Sequence, residues 1–259
     1  MPVRAMWKAT LVVGETSVPV ALYAAAEDTG VHFRLLHRAD LEPLTQKMVD
    51  PRTGQPVERA EMRRGVEVAP GRFVSLTEEE LAELEPEASR EIRVSRFVAP
   101  SALDPRWYER PYFLGPADAA SEGDYFALAQ AMEETGLEGI AQWTMRKRSY
   151  AGALRLHDGR LALVALRSPE ELVATDAFGV PAGRELDERE VQLAHQLVDA
   201  LAAPFVPDEF PNEFTERVVA LVEAKLRGEA LPSEAFEPAP EPEDESLAGV
   251  LEQSLSRAG

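Results

Sequence analysis

The order of hydrophobic patterns along the chain is the feature that most constrains its fold. Strand-length apolar runs fill the first two thirds, as in MWKATLVVG (6–14), SVPVALYAA (17–25) and EIRVSRFV (91–98). Apolar residues recur at helical spacing in the last third, in residues 187–202 and 212–226. Because a period of two indicates strands and a period near 3.6 indicates helices, the sequence predicts a mixed β and α protein, with a β-rich body followed by helices.

Turn residues locate hairpins and further strands within the β-rich part. Pro70-Gly71 predicts a turn inside VEVAPGRFVSL, and Asp158-Gly159 predicts one between strands that end at His157 and begin at Arg160. The runs IAQWTMRKR (140–148) and VHFRLLH (31–37) are also predicted to be β structure. The segment WYERPYFLGP (107–116), marked by two prolines, is assigned to no regular element.

Two helices are predicted within the same part of the chain. Thr77 followed by Glu80 forms a capping box for the short helix TEEELAELE. A longer helix that stops at Gly136 is predicted from four residues that share one face, which are Tyr125, Leu128, Ala129 and Met132.

One long segment, residues 39–65, has no periodic pattern. Its prolines and glycines interrupt any regular element, and it is longer than an ordinary loop in a compact domain. We therefore expect this segment to be functional or to form an excursion from the main body.

Charge is distributed unevenly along the chain. The formal net charge is −19, and residues 228–259 contribute −7 of it, from eight acidic residues and one arginine. Two stretches are positive: 31–64, with seven cations and five acids, and 143–160, with five cations and one acid. We call these the first and second basic islands. An acidic protein with basic islands can still attract phosphate, because the local potential decides the attraction.

The sequence contains no pattern that predicts catalysis or a bound cofactor. There is no cysteine, and no phosphate-binding loop, dinucleotide-binding fingerprint or hydrolase nucleophile motif. His32 and His37 are five residues apart in a strand-like run and therefore face opposite ways, which is poor geometry for a shared metal. No run approaches the length of a membrane span and no signal peptide is recognisable, so we expect a cytoplasmic protein.

Several stretches resemble the bacterial Ku proteins, the homodimeric DNA-end-binding factors of non-homologous end joining. The likeness begins with VRAMWKATL, SVPVALYAA and VHFRLLHR. It continues in order through MVDPRTGQPV, GRFVSLTEEELAEL, DPRWYERPYFLGP, ALAQAMEETG, LVALRSPEEL, LAHQLVDALAAPFVPDEF and VALVEAKLRGE. The resemblance covers roughly residues 3–229, and it rests on the shared order of many short matches.

The resemblance implies a β-barrel core with an irregular bridge excursion and a helical C-terminal arm. The core would comprise residues 1–180, with the bridge at about 38–65, the arm at 181–229 and an acidic Pro-rich tail with a short helix at 230–259. Two copies would form a ring that threads onto double-stranded DNA ends without sequence specificity or catalysis. Its implied partners are DNA, a second copy and DNA ligase D, and it would be associated with the nucleoid.

The basic islands would then line the DNA channel. The predicted DNA-binding residues are Arg34, Arg38, Lys47, Arg52, Arg59, Arg63, Arg64, Arg146, Lys147 and Arg148. If Arg146–Arg148 belong to a strand, Arg146 and Arg148 share one face and Lys147 points to the other, unless the chain turns there. The chain departs from the family pattern at Leu137 and Glu138, where relatives often have a cation, and in its acidic tail.

Two other functions remain open from the sequence. One is a Ku-like interaction protein that has lost tight DNA binding. The other is an enzyme that uses Lys8 or Lys147 as an amine nucleophile on an abasic site. The acidic tail is expected to be disordered, and its final stretch SLAGVLEQSLSRA predicts a helix that is too short to be stable without a partner. The resemblance points to the ligase as that partner.

Overall fold

The computed structural model describes residues 4–179, 183, 185, 187–229 and 247–258. The chain forms two compact units. The first contains the described residues up to Asp28 together with Arg34–Ala177, and the second contains Thr29–Phe33 and the described residues from Phe178 onward. None of the helices in the described residues is long and apolar enough to cross a membrane.

The first unit is built around a closed barrel of seven strands. Their order around the barrel is β1-β2-β6-β9-β8-β7-β5, and β1 pairs with β5 in parallel to close it. The barrel strands are β1 (Trp7–Val13), β2 (Thr16–Ala24), β5 (Glu91–Val98), β6 (Tyr108–Pro116), β7 (Glu138–Met145), β8 (Arg148–His157) and β9 (Arg160–Leu166). The mixed fold with a β-barrel core is therefore confirmed.

Alternating side chains of the barrel strands fill its interior. Leu11, Val20, Ile92, Leu154 and Leu163 are fully buried there, as expected where inward and outward positions alternate along each strand. Burying such side chains removes apolar surface from water, at about 25 cal/mol per Å². The barrel wall is therefore a rigid support for the residues on its outer face.

Helix α2 (Glu122–Thr135) packs against one part of the barrel. Tyr125, Ala129 and Met132 are buried in the same core as the strands, and Leu128 is half-buried, so the predicted helix face is confirmed. Gly136 ends the helix with a φ of 63°, a left-handed conformation that glycine adopts easily.

One strand prediction is wrong, and one strand was not predicted. Residues 31–37 form no strand, and only Leu36 makes an isolated bridge, to Pro43. Conversely, the Pro-marked segment is β6, a barrel strand. Its pairing with β9 is irregular between Tyr108 and Pro111, and this irregularity accommodates a proline that cannot donate a backbone hydrogen bond.

An extended excursion and a hairpin leave the barrel between β2 and β5. Residues 34–62 contain two isolated bridges but no strand, and nearly all of their side chains are exposed. The hairpin of β3 (Arg64–Ala69) and β4 (Arg72–Leu76) turns at Gly71, as predicted. Helix α1 (Glu78–Glu83) follows, and its predicted capping box is confirmed, with both hydrogen bonds between Thr77 and Glu80 present.

The second unit is helical, as predicted for the last third. It contains α3 (Glu188–Leu201), α4 (Glu213–Arg227) and α5 (Leu247–Ala258), and α5 packs against α3. Leu251 and Leu255 of α5 are half-buried. The short C-terminal helix therefore finds a partner within its own chain. The predicted disordered stretch, residues 230–246, lies outside the described residues.

Candidate nucleic-acid interface

All ten predicted DNA-binding cations are exposed side chains of the first unit. Two of them are held by neighbouring acids: Arg52 lies 3.5 Å from Asp50, and Lys147 lies 2.8 Å from Glu85. The other predicted cations form no ion pair with any residue that the structure describes. Their charges are therefore available to solvent and to an anionic ligand.

The three consecutive cations of the second basic island lie at a hairpin turn. Met145 of β7 pairs with Arg148 of β8, so Arg146 and Lys147 are the two turn residues. The chain therefore turns there, which is the exception that the sequence left open, and Arg146 and Arg148 do not share one strand face. The cations instead cluster at the tip of the hairpin.

The backbone of this turn is unfavourable for the residues it carries. Arg146 and Lys147 have φ values of 52° and 66°, in the left-handed region that costs a residue with a side chain about 1–2 kcal/mol. The β8–β9 turn has similar positive φ values, 50° and 70°, but uses Asp158 and Gly159, which tolerate them. Because the β7–β8 turn carries two cations at this conformational cost, it is a candidate functional element and more than a connection between two strands.

The two basic islands meet beside helix α1. Arg64 of the first island and Lys147 of the second line the same cleft of about 390 Å³, together with Glu85 and with residues of α1 that include Glu78 and Glu79. Arg59 and Arg63 line an adjoining cleft of about 530 Å³ at the start of α1, which Arg64 also borders. The remaining first-island cations, Arg34, Arg38, Lys47 and Arg52, are distributed along the exposed excursion.

A further cation, which sequence reasoning missed, lies close to the hairpin tip. A cleft of about 500 Å³ lies between α1, the segment before β5 and the β7–β8 turn, and we call it the mouth cleft. Its lining includes the cations Arg90, Arg146 and Lys147, one acid, Glu85, the hydroxyl residues Ser89 and Thr144, and Trp7. No local sequence signal identifies Arg90, because strand pairing around the barrel brings it to residues more than fifty positions away.

Arg155 belongs to the second basic island but is engaged in the barrel wall. Its Nε lies 2.6 Å from Oε1 of Glu138, and its guanidinium lies 4.8 Å from the centre of the Tyr108 ring. Glu138 is buried and also accepts a 3.3 Å hydrogen bond from Tyr108 Oη. Burial, reinforced by the charge of Glu138, raises the pKa of Tyr108. Glu138 therefore neutralises Arg155 and does not face a ligand on the surface.

The other chemistries considered from the sequence gain little support. Lys8 is exposed on β1, and Lys147 is exposed and ion-paired, whereas amine nucleophiles are activated by desolvation. His37 Nδ1 lies 2.8 Å from Asp40 Oδ1, and the backbone N–H of Glu42 and then His37 lower the pKa of Asp40. Within the described ranges, no three potential ligands cluster closely enough to hold a metal ion.

Comparison with known proteins identifies the family. The family model described as the Ku70/Ku80 beta-barrel domain matches residues 12–193. The chain belongs to the Ku family. Three relatives are each named a non-homologous end joining protein Ku. That of Anaeromyxobacter sp. strain K is 35% identical, over 98% of this chain and 86% of its own length. The protein of Archaeoglobus fulgidus is 34% identical, over 97% of this chain and 98% of its own length.

The third relative, a Ku 2 protein of Geotalea uraniireducens, is 36% identical over 87% of both chains. Among solved structures, the SPOC domain of human PHD-finger protein 3 matches 63% of this chain and 95% of its own, with 10% identity and a TM-score of 0.32. That likeness is too distant to inform the function.

Proposed function

We propose that this Ku protein binds the ends of double-stranded DNA in non-homologous end joining, without reading sequence and without catalysing a reaction. The observation that carries the proposal is the convergence of Arg64, Arg90 and the hairpin-tip cations beside α1, in a chain whose net charge is −19. Clustered cations attract phosphates of any sequence, whereas sequence is read by contacts to base edges. The printed names of the relatives supply the pathway.

We also propose that two copies form a ring around the DNA. Apolar side chains are exposed along the excursion, such as Leu35 and Met48, and in the helical unit, such as Phe205, Phe210 and Leu226. Exposed apolar surface of this extent is typical of an interface with another chain. A second copy would cover it, and the excursion would serve as the bridge over the DNA. Sedimentation that finds a stable folded monomer at micromolar concentration would argue against the ring.

Competition between linear and covalently closed circular duplex tests the proposal directly. A ring that needs a free end to load binds the linear form, and an equal mass of circular duplex competes poorly. The two forms have the same backbone charge, so non-specific attraction to phosphate would not distinguish them. Equal competition by the two forms would contradict end binding.

A second candidate is a Ku-like interaction protein that does not bind DNA tightly. Two predicted cations, Arg52 and Lys147, are already paired with acids, and this observation favours it. If neither DNA form binds at physiological salt, this candidate replaces the first.

Under the first proposal, the protein is cytoplasmic and associated with the nucleoid, and its C-terminal region recruits DNA ligase D.

A further inference from the structure

The ion pair between Lys147 and Glu85 joins two parts of the chain that are 62 residues apart. Lys147 Nζ lies 2.9 Å from Oε1 and 2.8 Å from Oε2 of Glu85, so the ammonium contacts both carboxylate oxygens. The Lys147 side chain is 73% exposed and that of Glu85 is 35% exposed. The pair is therefore in contact with water and can open without burying an unpaired charge.

Local structure fixes both members of this pair. Helix α1 begins at a complete capping box and its last turn closes at Leu84, which places Glu85 directly after the helix. Lys147 occupies the second position of the strained β7–β8 turn. Each residue is thus held by a well-defined element, and the contact between them is a property of the fold.

The pair lies where two clefts adjoin. Glu85 and Lys147 both line the 390 Å³ cleft that contains Arg64. They also both line the mouth cleft of 500 Å³ that contains Arg90 and Arg146. Glu85 is the only acidic residue among those that line the mouth cleft in the described part of the chain. The Glu85 carboxylate therefore pairs with Lys147 in the mouth cleft, whose other charged lining residues would attract an anion.

We propose that the mouth cleft is a phosphate-binding site for the DNA backbone and that Glu85 is its built-in competitor, which holds Lys147 until a phosphate displaces the carboxylate. The inference rests on the proposed DNA-binding function and extends it to a named cleft. Arg90, Arg146 and Lys147 supply the positive charge, and the hydroxyls of Ser89 and Thr144 can donate hydrogen bonds to phosphate oxygens.

The exchange is energetically reasonable. An exposed ion pair shifts an equilibrium by only about one and a half- to fivefold, so a phosphate can displace Glu85 at small cost. Each cation that binds a phosphate releases counterions and adds about 0.9 to the slope of log affinity against log salt. Glu85 therefore lowers both the affinity and the salt dependence below the values that three unopposed cations would give.

The test compares two glutamine substitutions on neighbouring acids. Glu85→Gln removes the competitor, and Glu83→Gln is the matched control, because Glu83 lies in α1 and forms no ion pair with a described residue. Binding of a labelled linear duplex is measured by anisotropy across a salt series. We expect Glu85→Gln to tighten binding about two- to fivefold per subunit and to steepen the salt slope by up to about 0.9 per subunit. Glu83→Gln should have a smaller effect on affinity and leave the slope unchanged.

A double-mutant cycle with Lys147→Ala gives the decisive result. In that background the gain from Glu85→Gln should shrink to the small effect of Glu83→Gln, because the part of the gain that comes from freeing Lys147 is lost. Arg90→Ala should separately weaken binding and flatten the slope by about 0.9 per subunit. Thermal melting of each variant confirms that it is folded.

Three outcomes overturn the inference: equal effects of the two glutamine variants, a gain from Glu85→Gln that remains larger than that from Glu83→Gln in the Lys147→Ala background, or an unchanged slope in Arg90→Ala. In these outcomes the wild-type protein still prefers linear over circular duplex. If the wild-type protein shows no such preference, the proposed end-binding function fails instead, and the inference fails with it.

Discussion

Nε of Arg155 on β8 lies 2.6 Å from Oε1 of Glu138 on β7, and this contact lies in the wall of the barrel. The two strands are neighbours, and Gly139 pairs with Leu154 directly beside the contact. The carboxylate side chain is only 8% exposed, whereas that of Arg155 is 37% exposed. One cation of an apparently basic stretch is therefore a structural partner of a buried acid.

Loss of the arginine should destabilise the protein more than loss of the carboxylate charge. Arg155→Met leaves the Glu138 carboxylate buried beside the Tyr108 hydroxyl alone, and we expect a loss of about 2–4 kcal/mol. Glu138→Gln leaves Arg155 partly hydrated, and we expect about 1–2 kcal/mol. Urea unfolding monitored by circular dichroism measures both. The reverse order would show that the buried carboxylate is not the costly member of the pair.

Tyr125 should make a measurable contribution to stability. Its Oη donates a 2.6 Å hydrogen bond to the Leu114 carbonyl and accepts a 2.9 Å one from the Leu161 N–H, and the side chain is fully buried. Tyr125→Phe leaves both backbone groups unpaired and should cost about 1–3 kcal/mol. Tyr23→Phe is the control, since that hydroxyl forms no hydrogen bond with the described residues. Equal effects of the two variants would contradict the prediction.

The same residue predicts a loss of stability in alkali. Burial raises the pKa of Tyr125 above its ordinary value of 10.0, and the hydrogen bond from Leu161 only partly opposes this. Below about pH 10 the phenol is protonated in both the folded and the unfolded state, so the contribution of Tyr125 to the free energy of unfolding is intact. As pH rises from there through the raised pKa, the unfolded state loses its proton first and stability falls. Tyr125→Phe should show a shallower alkaline decline in the urea midpoint than Tyr23→Phe.

Gly152 is required because of how closely Trp143 packs on β8. A Cβ at Gly152 would lie 2.6 Å and 2.7 Å from ring atoms of Trp143 and 2.7 Å from the Val164 carbonyl oxygen. Trp143 also stacks on Tyr150, which leaves it little room to shift. Gly152→Ala should destabilise by about 1–3 kcal/mol. Gly123→Ala in α2, where a Cβ meets nothing within 4 Å, should be neutral or stabilise by about 0.5 kcal/mol. Similar unfolding midpoints for the two variants would contradict this packing argument.

The hairpin-tip arginines should control the salt dependence of DNA binding. Replacing both Arg146 and Arg148 with alanine removes about two phosphate contacts per subunit and about four per dimer, so the log-log slope should flatten by roughly three to four. The change should be the same for any end sequence. Arg217→Ala with Arg227→Ala on α4, where both arginines are ion-paired with glutamates, is the control. A wild-type salt slope in the Arg146 and Arg148 double variant would show that the turn does not contact DNA.

The C-terminal helix should be needed for ligase recruitment. Val250 is 43% exposed on α5, whereas Leu251 and Leu255 are half-buried. Val250→Asp and removal of residues 230–259 should each abolish the stimulation of DNA ligase D, because the ligase loses its apolar contact with α5. The assay measures ligation of linear duplex ends by the ligase with each variant. Val222→Asp on α4, at a site of 50% exposure, is the control. Unchanged stimulation after the truncation would exclude docking at this helix.

Local chemistry in the sequence was sufficient to predict most elements. The Thr77–Glu80 capping box, the Asp158-Gly159 turn and the buried face of α2 depend on residues within one or two turns of each other. Such signals act over a few residues and carry over directly into structure. The β6 strand was missed because its prolines suppress the strand signal, and only pairing with β2 and β9 stabilises it.

The candidate interface depended on tertiary structure to a much greater degree. The sequence identified clustered cations, but it could not show that Lys147 is held by Glu85, that Arg155 is neutralised by Glu138, or that Arg90 lines the same cleft as Arg146. These relationships join residues from 17 to 62 positions apart. Composition fixes how much charge a chain carries. The strand register of a closed barrel decides which charges become neighbours, and therefore which remain available to a ligand.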